Sequence, residues 1–364
     1  MNENQKKKVK SVPKRILRVI ALIVAVVLLA VLGYVAYVLI DYHRLGNMPL
    51  EVNVPADAAE QVMKTGEVYR AFTWNIGFGA YTADYDFFMD GGNQSRAVKD
   101  RLEPNLRTIA ALSAAEKADL YLFEEVDIGG TRTWDVNEVP YLTGALPKYN
   151  SVFAQNYDSP YLMVPPLEPH GANRSGMLTL SRFDIIGAER VELPVENGLT
   201  KLLDLDRCYS KIRVKVENDR ELILYTFHLS AYTSDGAVSL QQLQLLLKDM
   251  QTEYEKGNYC LAGGDFNKDI LGNSSEVFAT HEVRTWAQPL PENLFDGTDM
   301  KLIDPGTDAP TCRNPDSAYH EGQFVVTVDG FIVSDNIRAL ECRVEKTGFA
   351  YSDHEPVLMR FMLQ

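Results

Sequence analysis

The stretch YCLAGGDFN, residues 259–267, gives the clearest indication of the fold. Its apolar run, 259–263, is typical of a buried strand, and the side chains of Asp265 and Asn267 follow almost directly. A strand that ends in polar side chains presents them at the rim of a sheet, where the ends of other strands can meet them. Taken alone, the motif is also compatible with an ordinary turn, because Asp and Asn are frequent turn residues.

Five other motifs place polar side chains directly after apolar runs of strand length. They are TWNIG (73–77), LFEEVD (122–127), YTFHLSAY (225–232), TVDGFIVS (327–334) and YSDHEPV (351–357). The side chains that they offer are Asn75, Glu124, Glu125, His228, Asp329, Asp353 and His354. Each motif alone has a plain interpretation, such as a turn residue, a structural histidine or a surface loop. The six together, spread over about 280 residues, are not expected by chance.

These side chains suit the hydrolysis of phosphoesters. Carboxylates and amide oxygens are the ligands of Mg²⁺ or Mn²⁺ rather than of zinc, and histidines exchange protons near neutral pH. A metal that neutralises phosphate charge, an activated water and a proton donor are what this reaction needs. The four cysteines form no CxxC pair, which also disfavours a zinc site. Their pairing stays open, and Cys260 is predicted to be buried.

The rest of the chain predicts two packed sheets with helices outside them. Further strand-like runs are 68–76, 118–126, 149–154, 176–181, 211–216, 222–229, 325–333 and 356–362. Helices are predicted over 104–117, 134–146 and 239–256, the second interrupted by Pro140. The glycine-rich, acidic segment 78–100 is predicted to be a surface loop or an active-site loop.

The N-terminus predicts a membrane anchor. Residues 19–40 carry no charge and no proline, and about 20 apolar residues suffice to cross a bilayer. The alternative, a cleavable signal peptide, has a shorter apolar region and a small-residue cleavage site, which 37–45 does not offer. The basic tail, 1–18, is expected inside the cytoplasm and the remainder outside it. Residues 41–67 are predicted to be a connector.

The net charge excludes some classes of function. The net charge is −14, and because the tail carries about +6, residues 41–364 carry about −20. A domain this acidic repels polyanions over most of its surface, which excludes a histone-like or sliding DNA-binding protein. It does not exclude an enzyme that cuts a polyanion in a site with cations of its own.

Over residues 68–364 the chain resembles the endonuclease/exonuclease/phosphatase superfamily. Pancreatic-type deoxyribonucleases, apurinic endonucleases, neutral sphingomyelinases and inositol polyphosphate phosphatases belong to it. The residues that carry the resemblance are the GDFN motif, the terminal SDH, the upstream Asn75 and the acidic pair at 124–125. The resemblance implies an α+β fold, a four-layer α/β/β/α sandwich of two mainly antiparallel sheets.

The resemblance also implies roles for the residues. Asn75 and Glu125 match the metal-site pair, with Asp353 completing the site for Mg²⁺ or Mn²⁺. Asp265 would orient or deprotonate the attacking water, and Asn267 would hold the phosphate. His354, oriented by Asp329, would contact a phosphate oxygen as a cation, and His228 is a candidate general acid. Further candidates for substrate binding are Asn173, Arg174 and Arg207, although both arginines are also compatible with surface or salt-bridged positions.

The chain departs from the family pattern at Glu124, where relatives usually have Gln. This extra carboxylate would either strengthen cation binding or point away from the site, since alternate strand residues face opposite sides. Gly330, where the family often has Tyr or Ile, is expected to affect packing only.

The function expected first is a nuclease-type phosphodiesterase anchored to the membrane, acting on external nucleic acid. The second is a sphingomyelinase-like or inositol-phosphate hydrolase, for which a tether would keep the enzyme close to its substrate. The segment MVPPLEP, 163–169, would then be a lipid-contacting loop, although its prolines also fit an ordinary rigid loop. A noncatalytic binding module at the cell surface is the third possibility. No protein partner is predicted.

Overall fold

A computed structural model of the chain describes residues 14–56, 61–196, 205–231, 237–280 and 286–364. These residues form two compact units, which divide between His43 and Arg44. In the first unit, helix α1 (Lys14–Asp41) contains the predicted anchor and is long and apolar enough to span a membrane. Most of its apolar side chains are exposed.

The second unit contains two seven-stranded sheets. Sheet I has the spatial order β15 (Ile337–Val344), β16 (Val357–Leu363), β3 (Val68–Asn75), β4 (Leu120–Gly130), β6 (Asn173–Ser181), β5 (Asn150–Asp158) and β2 (Val52–Asn53). Sheet II has the order β1 (Met48–Pro49), β7 (Ile185–Glu192), β8 (Cys208–Lys215), β9 (Glu221–His228), β10 (Tyr259–Asp265), β14 (Asp329–Ser334) and β11 (Met300–Ile303). A separate pair is formed by β12 (Cys312–Arg313) and β13 (Val325–Val326).

Both sheets are mainly antiparallel, as expected. Each has one parallel pair, β3 with β4 in sheet I and β9 with β10 in sheet II. Because parallel neighbours end at the same edge, each sheet brings two strand ends together at one place. These two places lie at the same end of the sandwich, which we call the site end.

The central core lies between the sheets. Ala71 and Leu122 of sheet I pack in one buried cluster with Leu224 and Leu261 of sheet II. Successive strand residues point to opposite faces, so the neighbours of these residues point outward, toward the helices.

Helices cover the two outer faces. Phe72 and Tyr121 of sheet I pack against Leu106 of α2 (Lys99–Ala115), with the short α3 (Val139–Ala145) beside it. Tyr225 of sheet II packs against Leu246 of α4 (Ala237–Glu255), and a fifth helix, α5, is Ser274–Val277. Short 3₁₀ turns occupy Gly77–Gly79 and Phe88–Asp90. The predicted α/β/β/α sandwich is confirmed.

The structure differs from the predicted elements in several places. Strands β7, β11 and β15 were not predicted, because charged residues interrupt their apolar runs. The helix predicted over 134–146 begins only at Val139, since Trp134 and Asp135 have left-handed backbone angles. Two short strands, β1 and β2, lie within the segment predicted to be a connector.

The four cysteines are free thiols. Cys208, Cys260 and Cys312 are buried and Cys342 is half-buried. The prediction for Cys260 is therefore confirmed, since it packs among apolar side chains of sheet II and α4.

Candidate active site

The two parallel pairs bring four of the predicted residues together at the site end. Asn75 pairs in register with Glu124, and His228 with Asp265. Asp265 also faces Asp329 on the antiparallel neighbour β14. The amide Nδ2 of Asn75 donates to Asp265 Oδ2 at 3.2 Å, so a hydrogen bond joins the ends of the two sheets.

Asp265 lies at the centre of this network. Its Oδ1 accepts the backbone N–H of Asn267 at 2.7 Å, and the Nδ2 of Asn267 donates to the carbonyl of Leu229 at 2.8 Å. Asn267 has a φ of 48°, a left-handed conformation that Asn tolerates better than most residues. Burial raises the pKa of Asp265 to about 7, with His354 opposing and Asp329 supporting the rise. Asp265 is therefore poised to exchange a proton near neutral pH.

His354 and Asp329 form a buried pair. His354 Nδ1 donates to Asp329 Oδ2 at 2.9 Å, and its Nε2 lies 3.8 Å from Asp265 Oδ2. Burial disfavours the cation, but the charge of Asp329, with smaller contributions from Cys312 and Asp265, raises the pKa of His354 well above its ordinary value. The ring is held in place through its backbone, because Trp74 Nε1 donates to the His354 carbonyl at 2.9 Å. His354 is therefore a fixed cation.

His228 has the opposite electrostatics. Its Nε2 lies 3.5 Å from Asp265 Oδ2, and its Nδ1 has no hydrogen-bond partner among the residues that the structure describes. Burial, then the charges of Arg207 and His354, lower the pKa of His228 well below its ordinary value. The ring is therefore neutral at neutral pH, and a neutral imidazole is a poor proton donor. This direction does not support the predicted role of general acid, which stays a prediction.

Glu125 and Asp353 line the same cavity, whose volume is about 140 Å³. Glu125 lies on a bulge of β4 with a φ of 53°, which turns its side chain into the cavity instead of toward the helices. Burial raises the pKa of Asp353 to about 6; His354 opposes this rise and the charge of Glu125 adds to it. Asn75 Nδ2 donates to Glu125 Oε1 at 3.3 Å.

This donor set fits a hard divalent cation. Carboxylates that repel one another in a buried cavity are stabilised when a cation binds between them, and all the donors of Glu125 and Asp353 are oxygens. A second group, Asp265, Asp329 and His354, also has ligand atoms within 4.8 Å of one another. In that group the hydrogen bond between His354 and Asp329 already occupies one ring nitrogen.

Glu124 points away from the cavity. It is completely buried, accepts a hydrogen bond from Thr73 Oγ1 at 3.0 Å, and is absent from the cavity lining. Burial, with the nearby charge of Asp329, raises its pKa well above the ordinary value, so the side chain is a neutral acid. A neutral carboxylic acid has nearly the shape of the Gln found in relatives. The structure thus favours the second of the two possibilities for this residue.

Only one of the three further candidates lines the cavity. Arg207 is buried there, and its Nη1 donates to the carbonyl of His228 at 3.2 Å. Asn173 is buried outside the cavity lining, with its Oδ1 accepting the N–H of Arg132 at 2.8 Å. Arg174 is exposed and is not part of the lining. The geometry therefore gives no support for substrate binding by Asn173 or Arg174.

Two lining arginines were missed by the sequence motifs. Arg132 forms a bidentate pair with Asp127, with N–O distances of 2.9 and 2.7 Å. Arg313 is completely buried and donates to the carbonyls of Thr82 and Tyr85 at 3.0 and 3.1 Å. Neither belongs to a strand-end motif, and the residues next to an isolated arginine in the sequence do not indicate where in the fold its side chain lies.

The predicted loop 78–100 forms one wall of the cavity. Tyr81, Phe87, Met89 and Asp90 all line it. The active-site alternative for this loop is therefore the one that the geometry supports.

Comparisons with known proteins agree with this architecture. The model of the endonuclease/exonuclease/phosphatase family matches residues 72–354. No curated protein matches the chain. An endonuclease/exonuclease/phosphatase from Beutenbergia cavernae is similar in structure, with 19% identity, a TM-score of 0.54, and coverage of 81% of this chain and 72% of its own.

Two further solved structures are similar. The human nocturnin catalytic domain with bound sulfate has 15% identity and a TM-score of 0.52, over 86% of this chain and 97% of its own. ANGEL2, described as a 2′,3′-cyclic phosphatase, has 14% identity and a TM-score of 0.52, over 86% and 98%. At these identities the likeness shows the fold alone. Because the family model matches most of the length of this chain, the chain belongs to the endonuclease/exonuclease/phosphatase family.

Proposed function

We propose that the chain is a divalent-metal-dependent phosphoester hydrolase anchored in the membrane by α1, with its catalytic domain outside the cytoplasm. One observation carries this proposal: the cation of His354 and the carboxyl group of Asp265 lie 3.8 Å apart in a cavity lined by three further carboxyl groups, those of Asp90, Glu125 and Asp353. A fixed cation can stabilise the charge of a phosphate, and the neighbouring group that exchanges protons near pH 7 can activate the attacking water.

Four residues have distinct roles in the proposed reaction. Ionised Asp265 accepts the proton of the attacking water, and Asn267, fixed by its bonds to Asp265 and Leu229, holds a phosphate oxygen. His354 stabilises the charge that grows on the phosphate oxygens. Asp329 keeps the ring protonated and oriented, so that little reorganisation is needed during the reaction.

Glu125 and Asp353 would hold Mg²⁺ or Mn²⁺. Asn75 turns its N–H group rather than its carbonyl toward the carboxylates of Glu125 and Asp265, and its Oδ1 accepts the N–H of Gly77 at 3.0 Å. Asn75 therefore orients the ligands in this proposal. When bound there, a divalent ion would neutralise part of the phosphate charge.

Nucleic acid is the first candidate substrate. Three buried arginines, Arg132, Arg207 and Arg313, line the cavity of a domain whose formal charge is about −20, so cationic side chains are concentrated where a phosphodiester would bind. The similar structures named above include a phosphatase and a sulfate complex, which is consistent with anion binding in this fold.

A lipid or inositol phosphodiester is the second candidate. The observation that favours it is an exposed apolar segment, 161–167, on the connection between β5 and β6. A noncatalytic binding module is disfavoured by the intact arrangement of Asp265, Asn267 and the pair of His354 with Asp329.

A substrate panel on the full chain in detergent tests the proposal. DNA, RNA, sphingomyelin, an inositol polyphosphate and an aryl phosphodiester are each offered with Mg²⁺, with Mn²⁺ and with EDTA. We expect turnover that requires the metal and is lost in His354→Ala. His320→Ala should keep it, because His320 is an exposed histidine outside the cavity lining. Absence of metal-dependent turnover on every substrate by a folded chain would refute the hydrolase.

A further inference from the structure

The chain enters the second unit at the site end. Strand β9 ends there with His228, and β8, β7 and β1 follow one another in antiparallel order across sheet II. The first residue of β1, Met48, therefore pairs near the end of β7, with Arg190. Just beyond, the N–H of Glu192 donates to Asn47 Oδ1 at 2.7 Å. The residues before Met48 consequently lie at the same end of the sandwich as the candidate active site.

This entry is fastened by two arginines. Arg44 Nη2 donates to the carbonyl of Leu193 at 2.9 Å. Buried Arg190 donates to the carbonyls of Leu45 and Gly46 at 2.6 and 3.0 Å, and also to the carbonyl of Asp206 at 2.6 Å. Asp206 precedes Arg207, which lines the cavity, so the attachment lies next to the cavity wall.

The covalent connection to the apolar helix is short. Only residues 42–43 separate the last residue of α1, Asp41, from Arg44. Three Cα–Cα steps of 3.8 Å allow at most about 11 Å between these two residues, whatever the orientation of the helix. Where α1 spans a bilayer, the site end is therefore held near the bilayer surface.

An apolar segment is exposed at this same end, on the connection from β5 to β6. Leu167 is 100% exposed, and Met163 and Val164 are each more than half exposed. The segment is nevertheless held firmly, because the N–H of His170 donates to the Val164 carbonyl at 2.9 Å, and Leu162 and Gly171 form a β-bridge. Burying these side chains in an apolar environment is favourable, and their fixed backbone keeps the ordering cost of burial small.

An aromatic residue with two cations lies beside the segment. Trp134 is 40% exposed, and its ring has the Arg96 guanidinium at 5.6 Å and the Lys99 ammonium at 5.2 Å. Arg96 Nε donates to the Pro169 carbonyl at 2.8 Å, which joins this group to the apolar segment. Tryptophan together with Arg and Lys is typical of surfaces at the headgroup level of membranes, where the cations attract anionic lipids.

We propose that these residues form a membrane-contacting rim, defined as Tyr161, Met163, Val164, Leu167, Trp134, Arg96 and Lys99. The rim rests on a bilayer that contains anionic lipid, and the catalytic cavity opens at its surface. His170, three residues after the apolar segment, lines the cavity, so the rim and the cavity share a wall. The proposal rests on the proposed membrane anchoring. It places phosphoesters at the membrane surface within reach of the site.

The test measures the depth of one rim residue in a bilayer. Leu167→Cys and Ile186→Cys are each labelled with a small fluorophore in the full chain, reconstituted in nanodiscs of neutral and anionic phospholipid. A nitroxide quencher sits near the lipid headgroup. Ile186 is a matched control, because it is 55% exposed and lies at the start of β7, away from the site end. The parent chain carrying label on its native cysteines gives the background.

Several-fold stronger quenching at position 167 than at position 186 is the expected result. Equal quenching at the two positions, in a chain that copurifies with the nanodiscs, would overturn the rim alone. A chain that does not copurify would overturn the anchoring and the rim together. Protection of position 167 by added DNA, without quenching by lipid, would overturn the proposal in favour of a nucleic-acid surface. Turnover of a soluble aryl phosphodiester by the same samples reports separately on the proposed hydrolase.

Discussion

Replacing Asp329 by Asn removes the charge that keeps His354 protonated while preserving the size of the side chain. The two groups are 2.9 Å apart. At an effective dielectric constant of about 20, their Coulomb attraction is about 6 kcal/mol. The carboxyl group of Asp265, 3.8 Å from Nε2 of His354, still attracts the cationic ring, so we expect the pKa of His354 to fall by less than the loss of the Asp329 charge alone would give.

The predicted readout is the pH dependence of kcat/KM. Activity that needs protonated His354 is present below the pKa of this group and is lost as the pH rises through it. In Asp329→Asn this loss therefore moves to lower pH. Asp329 also contributes to the raised pKa of Asp265, so the acidic limb of the profile moves in the same direction. Near pH 8 we expect a loss of activity of about 10²-fold or more.

The assay uses a soluble aryl phosphodiester with saturating Mg²⁺, with thermal unfolding as a check on folding. Asp249→Asn is the matched control, because Asp249 accepts hydrogen bonds from Tyr209 and Lys211 on the outer side of sheet II. Its profile should overlay that of the wild type. A profile of Asp329→Asn that differs from the wild type only in height, with both limbs in place, would refute the role assigned to the pair.

Three further predictions concern the stability of the fold around the site. Gly264→Ala should lower the free energy of unfolding in denaturant titrations by at least about 3 kcal/mol, because φ is 148° and the added Cβ would lie 1.9 Å from the Phe227 carbonyl oxygen. Arg132→Met should cost about 3–5 kcal/mol by leaving the buried Asp127 charge unpaired; adding Asp127→Asn should recover part of this loss, and no recovery would contradict the pairing. Burial, with the charge of Arg132, lowers the pKa of His170 to about 4, so the unfolded chain takes up its proton first as the pH falls below about 6.5. The wild type should lose about 3 kcal/mol of stability from this residue between about pH 6.5 and 4, and His170→Asn should show a correspondingly smaller loss.

The strand-end motifs predicted which side chains come together, because the chemistry of each motif is local. Each of the six motifs carries its polar residues next to an apolar run, and the register of the sheets then brings Asn75, His228, Asp265 and Asp329 to one end. Asn173 and Arg174 were chosen for a nearby position in a motif, and the structure places them outside the cavity lining. A residue's position next to a motif in the sequence does not determine the direction of its side chain where a strand bulges or a loop folds back.

Local sequence is enough to identify the apolar helix, the alternating strands and the candidate catalytic side chains, because hydropathy and residue chemistry are read over a few neighbouring positions. The tertiary structure sets the charge states: two histidines of the same intrinsic pKa become a fixed cation at 354 and a neutral ring at 228. It also decided that Glu125 turns into the cavity at a bulge while Glu124 stays a buried acid. Desolvation and the distances between charges depend on which strands become neighbours, and those neighbours are up to some 280 residues apart along the chain, as with Trp74 and His354.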